Sequence, residues 1–227
     1  MAKADDTCLS IYNQALPTNQ DELFILYDQW ADSYDQEAKQ FGYKGPQVAA
    51  SILADHLPDK NARILDFCSG TGLVGEQLKT RQFINIDAID MSPNSLKVSE
   101  EKQVYKTLIC SEIGSTPLDI KCDTYDGLVC CGSFTPGHLN QSCFPEMLRI
   151  VKPGGIIVIS MREEYLWTAK EFQNNQLEEA IQDMVAQEKW ILVARKTCEG
   201  YFHDKTGVTF VFRTLLMEPS SNESCNC

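Results

Sequence analysis

The sequence predicts an α/β fold: a mostly parallel, seven-stranded sheet with helices on both faces and one antiparallel strand near the C-terminus. Three observations carry that expectation. Short apolar runs alternate with stretches of helical periodicity along most of the chain. The run Gly127-Leu128-Val129-Cys130-Cys131 is apolar without alternation, as in a strand covered on both faces. Two late β-rich runs, about Trp190–Phe202 and Val208–Leu215, are joined by His203-Asp204-Lys205-Thr206-Gly207, a hairpin-like connection.

From Asp21, the residues Leu23, Leu26, Tyr27, Trp30 and Tyr34 fall on one face of a helix, most simply a core face. Val48, Ile52, Leu53 and Leu57 mark a second helix, with Pro46 in its first turn and Pro58 after its end. A strand is expected over Ala62–Cys68, followed by a glycine turn and a helix to about Lys79. Ile84 to Asp90 reads as a second strand. Ser92-Pro93 then makes a good cap and first turn for a helix to about Lys102. Further strands are expected at Tyr105–Cys110, Tyr125–Cys131 and Ile156–Met161. Between the last two, a helix near Cys143–Val151 ends ahead of Pro153-Gly154-Gly155. Leu177, Ile181, Met184 and Val185 mark one more helix.

The 227 residues fit one domain, and 43% hydrophobic with 23% charged residues describes an ordinary soluble globule. A net charge of -12 without a basic cluster argues against nucleic acid as the main partner. No stretch approaches the length of a membrane span, and no basic start leads into an apolar core, so no membrane association is expected. The expected location is the cytoplasm, with the nucleus as a second compartment, and a monomer is favoured. Of the ten cysteines, Cys68, Cys110, Cys130 and Cys131 sit in expected strands, where they read as small buried hydrophobes in a reducing compartment. There is no C-x-x-C pair. Cys225 and Cys227 form only a C-x-C, a weak metal signal, and no metal site is expected.

Ligands of such sheets bind beyond the carboxyl ends of the strands, which here brings together Ser69–Gly72, Asp90, the segment after Cys110, and Cys131–Phe134. Gly70-x-Gly72-x-x-Gly75 satisfies a dinucleotide fingerprint, and Asp90 lies near the spacing of a ribose-binding acid. That pair serves a nicotinamide dinucleotide and S-adenosylmethionine equally. Asp66, an acid within the strand before the turn, would repel a pyrophosphate and suits a cationic ligand better.

The pieces Tyr27-Asp28-Gln29-Trp30-Ala31-Asp32-Ser33-Tyr34-Asp35, Leu65-Asp66-Phe67-Cys68-Ser69-Gly70-Thr71-Gly72, Asp90-Met91-Ser92 and Leu148-Arg149-Ile150-Val151-Lys152-Pro153-Gly154-Gly155 form a set. Through them the chain resembles class I S-adenosylmethionine-dependent methyltransferases, from about Tyr27 to Leu215. The resemblance implies a Rossmann-like sheet, S-adenosylmethionine as cofactor and S-adenosylhomocysteine as product. Gly70 and Gly72, with Cys68 and Thr71 in the same turn, would line the methionine portion. Asp90 would hold the ribose hydroxyls, Met91 cover the adenine, and Glu112 and Ile113 stand at its amino edge. Asp66 would favour the ammonium group through water, while Cys131 and Phe134 lie on the same side. Trp30 and Tyr34 would close over the cofactor as part of a helical lid, residues 21–58, of one domain spanning 21–217. Residues 1–20 and 218–227 are expected to be flexible.

The loop after the fourth strand lacks the Asn/Asp-Pro-Pro-aromatic signature of enzymes that methylate amide or exocyclic nitrogens. With the acidic charge, this points to a small-molecule or protein acceptor. His138 in that loop is the candidate base, set against the ordinary reading of a solvated or capping side chain. A binding protein without turnover and a nicotinamide-dependent oxidoreductase are the competing readings.

Overall fold

Ile64, Leu65 and Phe67 are fully buried because strand β1 (Arg63–Phe67) has a strand on either side and apolar clusters on both faces of the sheet. The computed structural model describes residues 20–114 and 117–216. The expectations for 1–19 and 218–227, including the Cys225/Cys227 pair, lie outside those residues. Helices α1 (Gln20–Gln40) and α2 (Gly45–His56) precede β1. Then follow α3 (Leu73–Thr80), β2 (Asn85–Asp90), α4 (Pro93–Glu101), β3 (Thr107–Cys110) and β4 (Tyr125–Cys131). Next are α5 (Phe144–Ile150), β5 (Val151–Arg162), α6 (Tyr165–Thr168), α7 (Gln176–Ala186), β6 (Trp190–Phe202) and β7 (Lys205–Thr214).

The seven strands form one sheet in the order β3-β2-β1-β4-β5-β7-β6. The pairs among β1 to β5 are parallel, whereas β7 runs antiparallel to both β5 and β6. The expected architecture is therefore the observed one. Side-chain alternation splits each central strand between two cores. Leu65 and Phe67 face a cluster built with Phe144, Met147, Leu177 and Trp190, while Ile64 faces Ala49, Leu53, Val74 and Leu78. The strand order reverses between β1 and β4, and a crevice opens at their carboxyl ends.

Several boundaries differ from the expectation, each for a local reason. Cys68 has left the strand: its φ of 61° begins the turn. Tyr105 lies outside β3, with its side chain bonded to Asp66 rather than standing in the pleat. Helix α5 ends at Ile150 and β5 starts at once; Tyr125 pairs with Val151 and Gly127 with Ile156, so Lys152–Gly155 oppose Asp126 alone as an irregular insertion. Cys110 is exposed rather than buried, because β3 is an edge strand.

Candidate cofactor site

A glycine turn can bind a ligand only if something behind it fixes its shape, and here three neighbours do so. Asp90, at the end of β2, accepts the Gly70 amide on Oδ2 at 2.7 Å and the Ser92 amide on Oδ1 at 2.9 Å. Ser99 Oγ donates to the Gly70 carbonyl at 2.9 Å. Thr71 Oγ1 donates to Asp35 Oδ1 of α1 at 2.5 Å. Gly70 has a φ of 53° and open space where a Cβ would stand, so a ligand can approach the backbone there.

Over this turn lies a cavity of about 170 Å3, bounded by α1 and by the ends of β1, β2 and β4. Of the expected cofactor residues, Tyr34, Cys68, Gly70 and Thr71 line it, as do Asp90, Met91, Ile113 and Cys131. Asp66, Gly72, Trp30, Glu112 and Phe134 do not. Asp66 is 1% exposed and sits under the turn, on the β1 face that Ile64 shares, where it accepts the Tyr105 hydroxyl at 2.6 Å. Burial pushes its pKa up to about 7, against the pull of that hydrogen bond. A carboxyl group so placed neither meets a ligand nor carries a full charge at neutral pH, which removes it as the discriminator against phosphate. Gly72 faces Ser99 and Tyr105 instead of the cavity. Glu112 is exposed, and Phe134 is fully buried between Phe144 and Phe172 at ring distances of 6.1 and 6.2 Å. Trp30 turns inward and donates from Nε1 to Glu37 at 2.8 Å, supporting Tyr34 edge-on at 4.8 Å.

Tyr27 and Tyr43 line the cavity without having been singled out. Tyr27 had a signal: Leu23, Tyr27, Ala31 and Tyr34 follow helical spacing, and that stripe faces the cavity while Trp30 belongs to the neighbouring one. Tyr43 had none, since it sits in the connector between α1 and α2. Its hydroxyl meets Cys131 Sγ at 3.4 Å, which in turn meets the Tyr201 hydroxyl at 3.5 Å.

Helix α1 is fastened by two carboxylates. Asp28 accepts from Ser92 Oγ at 2.7 Å, from the Asn94 amide at 3.0 Å and from Asn94 Nδ2 at 2.8 Å. Asp35 pairs with Lys102 Nζ at 2.5 Å, and Lys102 also reaches Glu76 at 3.0 Å. The helix thus sits docked on α4 and on the turn.

Electrostatically the cavity is simple. Asp90 is the sole charged side chain among the described lining residues, and none is Lys or Arg. Burial raises the Asp90 pKa, while the Ser92 and Gly70 amides hold it back. The Cys68 thiol is raised by its hydrogen bond with Cys130 and by burial, and burial takes Cys131 to about 11, so neither is a thiolate at neutral pH. Among the described residues no cluster of His, Cys, Asp and Glu could hold a metal.

Residues 64–155, about two fifths of the chain, match the family model described as a methyltransferase domain. The chain is 32% identical over 139 residues to human methyltransferase-like protein 27, covering 60% of this chain but only 56% of that relative's length. A Burkholderia thailandensis 1,6-didemethyltoxoflavin-N1-methyltransferase, solved with 1,6-didemethyltoxoflavin and S-adenosylhomocysteine, superposes with a TM-score of 0.62 at 14% identity, over 89% of this chain and 93% of that one. A putative S-adenosylmethionine-dependent methyltransferase of Methanococcus maripaludis does so with 0.61 at 15% identity, over 92% and 99%. At these identities the two structures speak for the fold alone.

The residues present fit S-adenosylmethionine. Each Asp90 oxygen keeps a lone pair beyond its amide bond, as a ribose diol needs, and Ser69 Oγ is buried in the lining without a partner among the described residues. The open side of Gly70 completes the cradle.

Proposed function

We propose that this chain is an S-adenosylmethionine-dependent methyltransferase acting on a small-molecule or protein acceptor. The observation that carries the reading is the charge of the cavity, in which Asp90 stands without any described Lys or Arg. Such a lining suits a sulfonium and an ammonium group and offers a pyrophosphate no counter-charge. The third glycine of the dinucleotide fingerprint has another explanation, because a Cβ at Gly75 would overlap the Tyr105 ring.

S-adenosylmethionine, when bound, supplies a methyl carbon already activated by its sulfonium. The chain's part is then to align and to exclude water. Asp90 orients the ribose, the Gly70 backbone admits close approach, and Tyr27 and Tyr34 shield the reacting centre from the α1 side.

Titration calorimetry with S-adenosylmethionine, S-adenosylhomocysteine and NAD tests the reading. Micromolar binding of the first two is expected, on the scale of about -8 kcal/mol; absence of binding, or preference for NAD, overturns it. Transfer of a labelled methyl group into a cell-extract fraction separates turnover from binding alone.

A further inference from the structure

We propose that His138 is the general base of this site and that its acceptor is a neutral small molecule carrying a phenol-like hydroxyl on an apolar body. The inference rests on the methyl-transfer reading above. Three backbone contacts hold the loop that bears the histidine: Leu139 N to Ser133 O at 3.0 Å, His138 N to Thr135 O at 3.0 Å, and Gly137 N to Glu171 Oε1 at 3.1 Å. The residue is not a solvated loop side chain, since it lines the cavity and its Nε2 is buried.

The tautomer follows from its partner. Nδ1 lies 2.9 Å from the Pro136 carbonyl oxygen, which can only accept, so Nδ1 carries the proton. Burial lowers the pKa of the ring and keeps it neutral, which leaves Nε2 a bare acceptor. That atom has no hydrogen-bond partner among the described residues. A buried acceptor left unmatched is costly, and a ligand hydroxyl is what would match it.

Two groups face the ring. The Tyr27 ring of α1 packs edge-on at 5.2 Å and 84°. Glu171, whose Oε2 is also buried without a partner among the described residues, favours a positive charge on the imidazole. As the acceptor oxygen's electron pair makes the new bond to the methyl carbon, and the old carbon–sulfur pair stays with sulfur, His138 Nε2 takes the hydroxyl proton. The resulting imidazolium, stabilised by Glu171, returns the proton to water once the product leaves.

The acceptor class follows from the rest of the lining. Among the described lining residues no Lys or Arg stands ready to hold a phosphate or carboxylate, and Leu23, Phe24, Tyr34 and Leu139 offer an apolar wall. An amine free of its proton would need no base. A hydroxyl with a pKa near that of a phenol, about 10, does.

The test uses 4-methylphenol and its methyl ether, 4-methylanisole, on the full chain with and without S-adenosylhomocysteine. Wild type is expected to bind the phenol about tenfold more tightly than the ether, the worth of one hydrogen bond to a buried acceptor. His138→Phe, which keeps a planar ring but has no acceptor, should erase the preference. Equal affinities in wild type, or no binding of either compound, overturns the proposal. Independently of any variant, nitrogen NMR of wild type with labelled histidine should give protonated Nδ1 and bare Nε2; the opposite tautomer overturns it. Wild type that binds S-adenosylhomocysteine but lacks the phenol preference sinks only the base. Failure to bind S-adenosylhomocysteine sinks the methyl-transfer reading, while the tautomer and the phenol preference still judge His138.

Discussion

The Tyr105 hydroxyl donates to Asp66 Oδ2 at 2.6 Å and accepts from the Gly75 amide at 3.2 Å, so one side chain joins the strand before the glycine turn to the helix after it. The ring also occupies the space that side chains at Gly72 and Gly75 would need. The spacing of these glycines thus answers to a tyrosine thirty residues away (Tyr105 to Gly75) as much as to a ligand.

The pH dependence of stability should carry the signature of Asp66. Its folded-state pKa, about 7, is raised above the usual 3.8, so between these values the folded chain holds a proton that the unfolded chain has lost. Stability from this group is full below about pH 4 and is lost as pH rises through 7. Asp66→Asn should flatten that fall in thermal unfolding scans from pH 4 to 8. Identical slopes in the two proteins would count against the assignment.

Gly75→Ala should destabilise the chain by roughly 1–3 kcal/mol, because the added methyl overlaps the Tyr105 ring. Tyr105→Leu removes the ring edge, so the double mutant should lose less than the sum of the singles. Additive losses in denaturant titrations would show that the two sites do not meet.

Asp90→Ala should weaken S-adenosylmethionine binding at least tenfold, since it removes the diol acceptor and leaves the Gly70 and Ser92 amides unpaired. Calorimetry on the folded variant reads this directly. Wild-type affinity would place the ribose elsewhere.

Asp28→Ala frees Ser92 Oγ and the Asn94 donors and should cost about 1–3 kcal/mol locally. Hydrogen exchange over 20–40 should quicken while the central strands keep their protection. Unchanged exchange in that helix refutes the fastening.

Alkylation at neutral pH should label exposed Cys110 well before Cys68, Cys130, Cys131 and Cys143, whose thiols are raised in pKa. Peptide mapping gives the order.

Local signals made much of this legible in the sequence. Parallel buried strands announce themselves as unbroken apolar runs, and Gly70, Gly72 and Asp90 mark turn and strand end by position alone. What escaped depends on which side of a strand or helix a residue takes. Asp66 and Phe67 are neighbours in sequence and face opposite layers, and only the packed sheet assigns the acid to Tyr105 instead of the crevice. Trp30 and Tyr27 lie three residues apart on one amphipathic helix, and the boundary between core and cavity falls between them. His138 could be named as a candidate, but its tautomer required the Pro136 carbonyl.

The connector bearing Tyr43 has a consequence for synthesis. The Lys44 amide bonds the Tyr201 carbonyl at 2.8 Å, and the His203 amide bonds the Phe41 carbonyl at 3.1 Å. One wall of the pocket therefore waits for a hairpin made long after the first helix has left the ribosome, at about 5–20 residues per second. A nascent chain can lay down the parallel strands in order, yet it has no finished cofactor pocket until β6 emerges. Binding competence comes late in translation, and ligand cannot rescue chains that stall before it.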